Sequence, residues 1–558
     1  MCNTVLVSEL IDHTLRGGWT PSGAGAAPLP THALRWLSGR LGLDGASTPA
    51  APASLLEVPD GALPVEARAE LVELLGEHQV QTGATARLGR TGGLSYSDLL
   101  RRRDGVGLAV PDAVLLPADP EQVQRVLEVC VRHDVAVVPF GGGTSVVGGV
   151  TALRGAKRAV VALDLARLDR LVSVDPVSRI AVLQAGVRAP EAESLLAAHG
   201  FTLGHFPQSF ERATIGGFAA TRSAGQASAG YGRFADMVEG VRVATPVGEW
   251  RLGAAPASAA GPDLRQLAIG GEGALGVITE VAVRVRPKPT EMRYEALVLD
   301  GWQAAADAVR ALAQQRVLAD VTRLSDVDET AVQLELSGGV KSRALRTLLL
   351  GSRIDEPCLL VLGWEAASAA ELKQRRAATM RALHGFRSLR LGPRGGEAWH
   401  AARFAGPRQR DALLDVGVCV ETLETATCWS RLSELRSAVR AALVRELDRD
   451  GQPPIVMCHL SHAYETGASL YFTVLAARGA DPVDQWRRAK EAATGAITER
   501  VPGHELGRGT LTHHHAVGTD HLPWLEAEIG GIGTSVLAAV KQAVDPTGIL
   551  NPGKLVGP

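Results

Sequence analysis

Two stretches of the 558-residue chain carry residue types whose spacing could do chemistry. The first is Pro139-Phe140-Gly141-Gly142-Gly143-Thr144-Ser145-Val146-Val147-Gly148-Gly149. Three consecutive glycines remove every Cβ from a turn, which frees the backbone for positive φ and for close approach to a ligand. Successive N–H groups in such a turn form a concave anion site, and Thr144 and Ser145 add hydroxyl donors, so the loop suits a pyrophosphate. It lacks the GxGxxG spacing of a Rossmann turn and the Gly-Lys-Ser/Thr ending of a P-loop. An ordinary glycine-rich surface loop is the competing reading. The second stretch is His513-His514-His515. Imidazole titrates near neutrality and can both accept and give a proton. On an extended segment His513 and His515 share one side and His514 the other, so the three are not expected to do one job. A histidine run can also be a metal site, which His459 and His462 could join. Zinc sites need fixed spacing across elements and usually an acidic or thiolate partner, and no metal is expected here.

The elements that must position these residues follow from hydrophobic patterning. Val135 to Val138 reads as a buried strand entering the glycine run. Around it the pattern gives strands at Ala113–Leu116, Ala159–Leu163, Leu171–Val174 and Ile180–Gln184, with helices at Pro120–His133 and Pro190–His199. Beyond residue 290 the order begins again: strand Tyr294–Leu299, helix Gly301–Gln315, strand Leu359–Trp364, helix Ala367–His384, and strands Pro454–His459 and Ser469–Ala476. That order fits an antiparallel sheet with helices on one face. A final helix, about Trp524 to Val544, stops at Asp545-Pro546. Residues from about 20 to 64 are rich in Ala, Pro, Ser and Gly, interrupted by a helical piece at Thr31–Leu43, and read as an extension that packs on the main body or stays mobile; Val65–Gly83 is another helix. The fold class is therefore α+β. The expected units are 1–105, a partly helical extension; 106–290, a cofactor domain; 291–500, a cap; and 501–558, a segment that carries the histidines back to the cofactor domain.

Composition limits the partners. Net charge is −2 with 58 basic and 60 acidic residues, so a large nucleic-acid footprint is not expected. The six cysteines form no CxxC pair and read as small buried hydrophobes of a reducing compartment. No segment has the uncharged length of a membrane span, and the N-terminus has no signal-peptide core, so a cytoplasmic enzyme is expected.

The strand–GGGTS–Gly run resembles the pyrophosphate loop of the vanillyl-alcohol-oxidase or PCMH type of FAD-binding domain. Four more segments match in order. They are Gly204-His205-Phe206-Pro207-Gln208-Ser209 with Ala213-Thr214-Ile215-Gly216-Gly217; Thr221-Arg222-Ser223-Ala224-Gly225; Gly270-Gly271-Glu272-Gly273-Ala274-Leu275-Gly276-Val277-Ile278; and Asn551-Pro552-Gly553-Lys554. The resemblance implies a two-subdomain FAD-binding domain, non-covalent FAD and an antiparallel cap. Outside the flavin domain the chain resembles the alkyldihydroxyacetonephosphate synthase (alkylglycerone-phosphate synthase) family of ether-lipid enzymes. The carrying residues are Val321-Thr322-Arg323-Leu324-Ser325-Asp326, Arg410-Asp411, Glu421-Thr422-Leu423-Glu424-Thr425 with Trp429, Gly467 to Phe472, and the three histidines.

In that family a flavin N5 adduct exchanges the acyl group of acyl-dihydroxyacetone phosphate for a long-chain alcohol without net redox. The resemblance makes Tyr471 the hydroxyl acid/base and gives His513, His514 and His515 the proton transfer. It has Arg410 and Arg323 hold phosphate or carboxylate, and His205 sit over the flavin. A lipid substrate implies peripheral membrane contact, with Thr31–Leu43 as the candidate piece, and a homodimer is expected by resemblance. Departures fall near the substrate: Arg408 and Gln208 replace a family tyrosine and aspartate, Ala516 replaces glycine after the histidines, and the pyrophosphate turn ends Val146-Val147-Gly148-Gly149. The alternative is a FAD-dependent oxidase or dehydrogenase of a 2-hydroxy acid. Such dehydrogenases carry a metal-binding His in a Gly-Asp-Gly-Asn-x-His run, which Ser461 to Gly467 lacks.

Overall fold

A computed structural model describes residues 18–19, 28–45, 47–253, 255–338, 347–349, 351–500 and 507–557. Residues 1–17 and 20–27 of the expected N-terminal extension lie outside the described residues, as does 501–506 at the start of the expected C-terminal segment.

The glycine run leaves the end of a small parallel sheet. Val135–Phe140 pairs in parallel with Ala159–Asp164, which pairs in parallel with Ala113–Leu115. The intervening helix Pro120–Arg132 is capped by Asp119, whose carboxylate accepts from the Gln122 N–H, and it opens with proline in its first turn. Helix Val65–Leu75 packs on it, and the short strand Val80–Gln81 closes the sheet's other edge antiparallel. A second, five-stranded sheet is wholly antiparallel, in the order Leu171–Asp175, Ile180–Gln184, Val277–Arg284, Val238–Thr245, Gly248–Leu252. The two sheets share one apolar core with the helices between them. The chain end returns to this unit: the Asn551 N–H donates to the Val137 carbonyl.

The cap is a seven-stranded antiparallel sheet, ordered Ser388–Gly392, Glu291–Asp300, Pro357–Ala366, Val321–Ser325, Ile455–Leu460, Gly467–Ala477, Val418–Cys428. The register of four of these strands places one row of side chains across the sheet. Ser325 lies opposite His459, His459 opposite Tyr471, and Tyr471 opposite Glu424. Cross-strand partners point to the same face, so this row is how the cap presents its chemistry. Glu421-Thr422-Leu423-Glu424-Thr425, a motif whose secondary structure the sequence left open, lies within the strand Val418–Cys428.

Helix Thr31–Leu41 ends at Gly42, whose φ of 65° only glycine adopts freely. Its apolar positions Leu37 and Leu41 are fully buried in the cap's core, with Trp36 packed against it. The helix expected to meet a membrane thus has its apolar face occupied by the protein itself. No helix among the described residues is long and apolar enough to cross a membrane. Leu37→Ala should cost about 2–5 kcal/mol, as buried leucine truncations do. Thermal unfolding should show a lowered midpoint with full flavin content; an unchanged midpoint would mean the helix is not docked.

Candidate active site

The five glycine-bearing segments converge. A Cβ at Gly142 would lie 2.3 Å from the Arg212 carbonyl oxygen and 2.7 Å from Ala213 Cα, and one at Gly141 would lie 2.3 Å from Thr214 Oγ1. The glycines are therefore needed first for interlocking with residues 212–214. Gly143 takes φ 62°. The N–H groups of Gly143, Thr144 and Ser145 find no acceptor among the described residues, which is what a loop awaiting an anion presents. Thr214 caps helix Ile215–Thr221 by accepting from the Gly217 N–H, and Gly216 sits against Ala185. Thr221 donates to the Gly217 carbonyl. Arg222 donates to the carbonyls of Ile269 and Gln266, tying this segment to the Gly270–Glu272 turn. Pro139 backs onto Gly273, where a Cβ would come within 2.8 Å of its ring. Ala274 and Leu275 pack with Leu525 and Leu555, Gly276 takes φ 131°, and Val277 and Ile278 begin the central strand of the antiparallel sheet. Asn551 Nδ2 joins the pieces by donating to the carbonyls of Gly149 and Glu272. Phe140, Ser223 and Ala224 are buried behind them. Gln208 is exposed on the turn that also holds Ser209, next to Gly406 of the cap.

His205 is 1 % exposed, edge-on to Phe218 and Phe234 at 4.6 and 5.2 Å, with Nε2 3.0 Å from Ser223 Oγ. Burial, with a smaller push from His514, lowers its pKa to about 3, so it is a neutral imidazole. Above it the cap presents a cluster of rings. Tyr471 stacks on His459 at 4.8 Å and lies 6.0 Å from His514 and 5.5 Å from His515. Burial raises the Tyr471 hydroxyl to about 12. His513 and His514 face each other through their Nδ1 atoms at 3.0 Å, and the Tyr464 hydroxyl lies 2.6 Å from His513 Nε2. Burial lowers the pKa of all three loop histidines, His513 to about 3. His462 joins this group: its nitrogen and those of His513 and His514 lie within 4.8 Å of one another. His459 does not, because Arg323 and Glu329 hold its Nδ1 at 2.9 and 3.2 Å.

Both candidate anion-holding arginines are engaged by protein carboxylates. Arg323 donates to Glu329 at 2.7 Å and to Ser325 Oγ at 2.9 Å. Arg410, on helix Gly406–Asp415, is 7 % exposed and pairs with Glu421, whose other oxygen accepts from the Tyr96 N–H. Burial raises the Glu329 carboxyl, but Arg323 and His459 outweigh it and hold it well below the usual range.

Sequence reasoning quoted Glu424 within a motif but gave it no role. Its carboxylate accepts from the backbone N–H groups of His513, His514 and His515 at 2.7, 3.1 and 2.9 Å, and from the Thr512 hydroxyl at 2.6 Å. Burial opposes its charge, but the facing imidazoles and these donors keep it ionised well below the ordinary carboxylate range. At the other end of the loop Glu272 accepts from the N–H groups of Val517 and Gly518. Burial raises its carboxyl to about 7. Three successive amides converging on one carboxylate is a tertiary fact with no local sequence signal.

Two family models match the chain: an FAD binding domain over residues 111–253 and the C-terminal domain of FAD linked oxidases over residues 288–555. The alkyldihydroxyacetonephosphate synthase of Trypanosoma brucei brucei is 31% identical over 503 residues, covering 87% of this chain and 80% of that protein. The chain belongs to the alkyldihydroxyacetonephosphate synthase family. The Dictyostelium discoideum synthase is 30% identical, covering 86% of this chain and 78% of its own. A solved alkyldihydroxyacetonephosphate synthase structure superimposes with a TM-score of 0.83 at 26% identity, covering 97% and 99% of the two chains. The fold is the PCMH-type FAD-binding fold with its cap, and the protein is an FAD-binding enzyme. The converging glycine segments fit that cofactor: the amides at residues 143–145, unpaired among the described residues, are donors of the kind a diphosphate takes.

Gly142→Ala should leave the protein without stably bound FAD, since its methyl must displace the Arg212–Ala213 backbone that shapes the cradle. Flavin absorbance after gel filtration measures this, and full occupancy would show that the cradle is elsewhere. Glu424→Gln should retain flavin but lower turnover about a hundredfold, the order that small displacements of reacting groups cost. Unaltered turnover would mean the loop holds its shape without the carboxylate.

Proposed function

We propose that the protein exchanges the acyl group of an acyl-dihydroxyacetone phosphate for a long-chain alcohol, an alkylglycerone-phosphate synthase reaction with no net electron transfer. The observation that carries this reading is the row of the cap sheet that sets Tyr471 between Glu424 and His459 and under the rings of His514 and His515. Exchange of a carboxylate for an alkoxide needs a proton moved to and from the dihydroxyacetone carbon and to the departing or entering oxygen. FAD, held by the converging glycine segments, would supply a nucleophilic ring nitrogen.

The chain's own residues supply the rest. His514 and His515, neutral because they are buried, accept a proton and return it. Tyr471, whose hydroxyl stays protonated far above neutrality, donates rather than abstracts until a base faces it. His205 packs from the flavin-domain side as a neutral wall. Arg323, on the same face of the sheet as Tyr471, holds the substrate's phosphate or carboxylate by its planar fork, reached by exchange with Glu329, while Arg410, paired with Glu421 past the edge strand, acts on Tyr471 through its charge. Such a substrate comes from a bilayer, so the reading includes a cytoplasmic protein that meets the membrane peripherally, and homodimerisation is part of the same expectation.

The competing reading is oxidation of a 2-hydroxy acid. Anaerobic mixing with D-lactate, glycolate and D-2-hydroxyglutarate should leave the flavin spectrum unchanged. Incubation with acyl-dihydroxyacetone phosphate and a labelled fatty alcohol should yield labelled ether product and free fatty acid by mass spectrometry. His514→Ala and Tyr471→Phe should each cut that turnover by about a hundred- to ten-thousand-fold with flavin retained, as loss of positioned proton transfer does. Rapid bleaching by any of the hydroxy acids, without ether product, would overturn the assignment.

A further inference from the structure

The loop histidines and His462 form a second constellation within the same pocket. His462 follows the cap strand Ile455–Leu460, and its backbone is fixed by the Ser469 N–H donating to its carbonyl. It is 5 % exposed, and its Nδ1 is buried with no hydrogen-bond partner. Its ring stacks on His513 at 5.0 Å and stands edge-on to His514 at 5.4 Å. A buried polar atom without a partner calls for an explanation, and an absent ion is one of the ordinary ones.

We propose that His462, His513 and His514 form a three-imidazole site for a divalent transition-metal ion of the zinc class, and that the ion and the proton-transfer role of His514 exclude each other. The geometry points to this in three ways. First, the three ligand nitrogens all lie within 4.8 Å of one another. In a tetrahedral ion, nitrogens bonded at about 2.0–2.1 Å stand about 3.4 Å apart, so filling the site draws any pair at the outer limit together by at most about 1.4 Å, a movement of side-chain size. Second, His513 Nδ1 and His514 Nδ1 face each other at 3.0 Å. Two neutral rings satisfy that approach only when one donates, whereas an ion uses both lone pairs. Third, an outer shell is in place. Tyr464 holds His513 Nε2 at 2.6 Å, leaving Nδ1 for the ion, and Glu424 Oε2 lies 3.5 Å from His514 Nδ1 as a buried counter-charge. A partner on the free ring nitrogen, as Tyr464 is for His513, orients a ligating imidazole and tunes the ion, and the Glu424 carboxylate beside His514 Nδ1 offsets the ion's charge.

Imidazole donors suit zinc, cobalt, nickel and copper, and three of them leave a fourth position open. An ion there occupies the His514 lone pair. On the proposed synthase reading this takes His514 out of proton transfer, so the filled site is an inhibited state.

The test uses tag-free, flavin-loaded enzyme. Cobalt(II) is titrated in while its visible bands are followed beyond the flavin absorption, and metal content is measured after gel filtration. The wild type should retain one ion per chain. His462→Ala and the bulkier His462→Gln should each weaken retention by more than roughly a hundredfold, above what outer-shell changes cost, while flavin content reports folding. Zinc should inhibit ether-product formation in the wild type, and the His462 variants should resist it relative to their own metal-free rates. No retained ion in the wild type overturns the site, as does equal retention in both His462 variants. An ion retained without loss of activity overturns the exclusion. The cobalt readout does not depend on the synthase assay, so failure of the functional reading and failure of the metal site are told apart.

Discussion

One carboxylate fixes the geometry on which the rest of the pocket depends. A loop that carries three adjacent imidazoles into a crowded interior has backbone N–H groups that must be paired. Glu424 takes the amides of His513, His514 and His515 together with the Thr512 hydroxyl. Gathering three successive amides onto one point is incompatible with an extended strand, so the loop bends. The bend lets all three rings contribute to one cluster instead of alternating sides. In return the donors make burial of a charge at 3 % exposure tolerable. Removing the carboxylate would leave several buried donors unpaired at once, which costs more than the loss of any single bond.

Much of this was legible in the sequence, and the boundary is physical. Strand and helix positions followed from apolar periodicity, and the cap strands at Leu359–Trp364 and Ser469–Ala476 extend to Pro357–Ala366 and Gly467–Ala477. The glycine segments and the histidine run were legible because their residue types are rare in combination. What was not legible is pairing at a distance. Glu421 and Glu424 sit three apart on one strand, so they face opposite sides of the sheet. One meets Arg410 and the other the histidine loop. Nothing in the motif says which glutamate does which. The same holds for Arg323 and Arg410, whose forks read as free anion holders until the fold supplies Glu329 and Glu421.

Gly142 teaches a related lesson. The residue type was read correctly as a place where a side chain cannot fit, but the clash is with the Arg212–Ala213 backbone. The cradle is two chain segments interlocked through glycine, next to the amides of residues 143–145 that have no acceptor among the described residues. Helix Thr31–Leu41 shows the same boundary: an amphipathic pattern was legible, but not that its apolar face packs on the cap core.

The histidine loop is anchored to both the cap and the flavin domain. Glu424 belongs to the cap sheet and holds four donors, while Glu272 belongs to the flavin domain and holds two. Glu272 also sits at a cost: burial pushes its carboxyl up to about 7, so near neutrality a share of it is protonated and accepts more weakly. The flavin domain holds the loop at a second point as well: the Thr519 and Asp520 N–H groups both donate to the Val147 carbonyl of the glycine run. On the cap side the rings of His514 and His515 meet Tyr471. The backbone of this loop thus joins the ring cluster of the cap to the glycine run, so a change of shape in either is felt by the other.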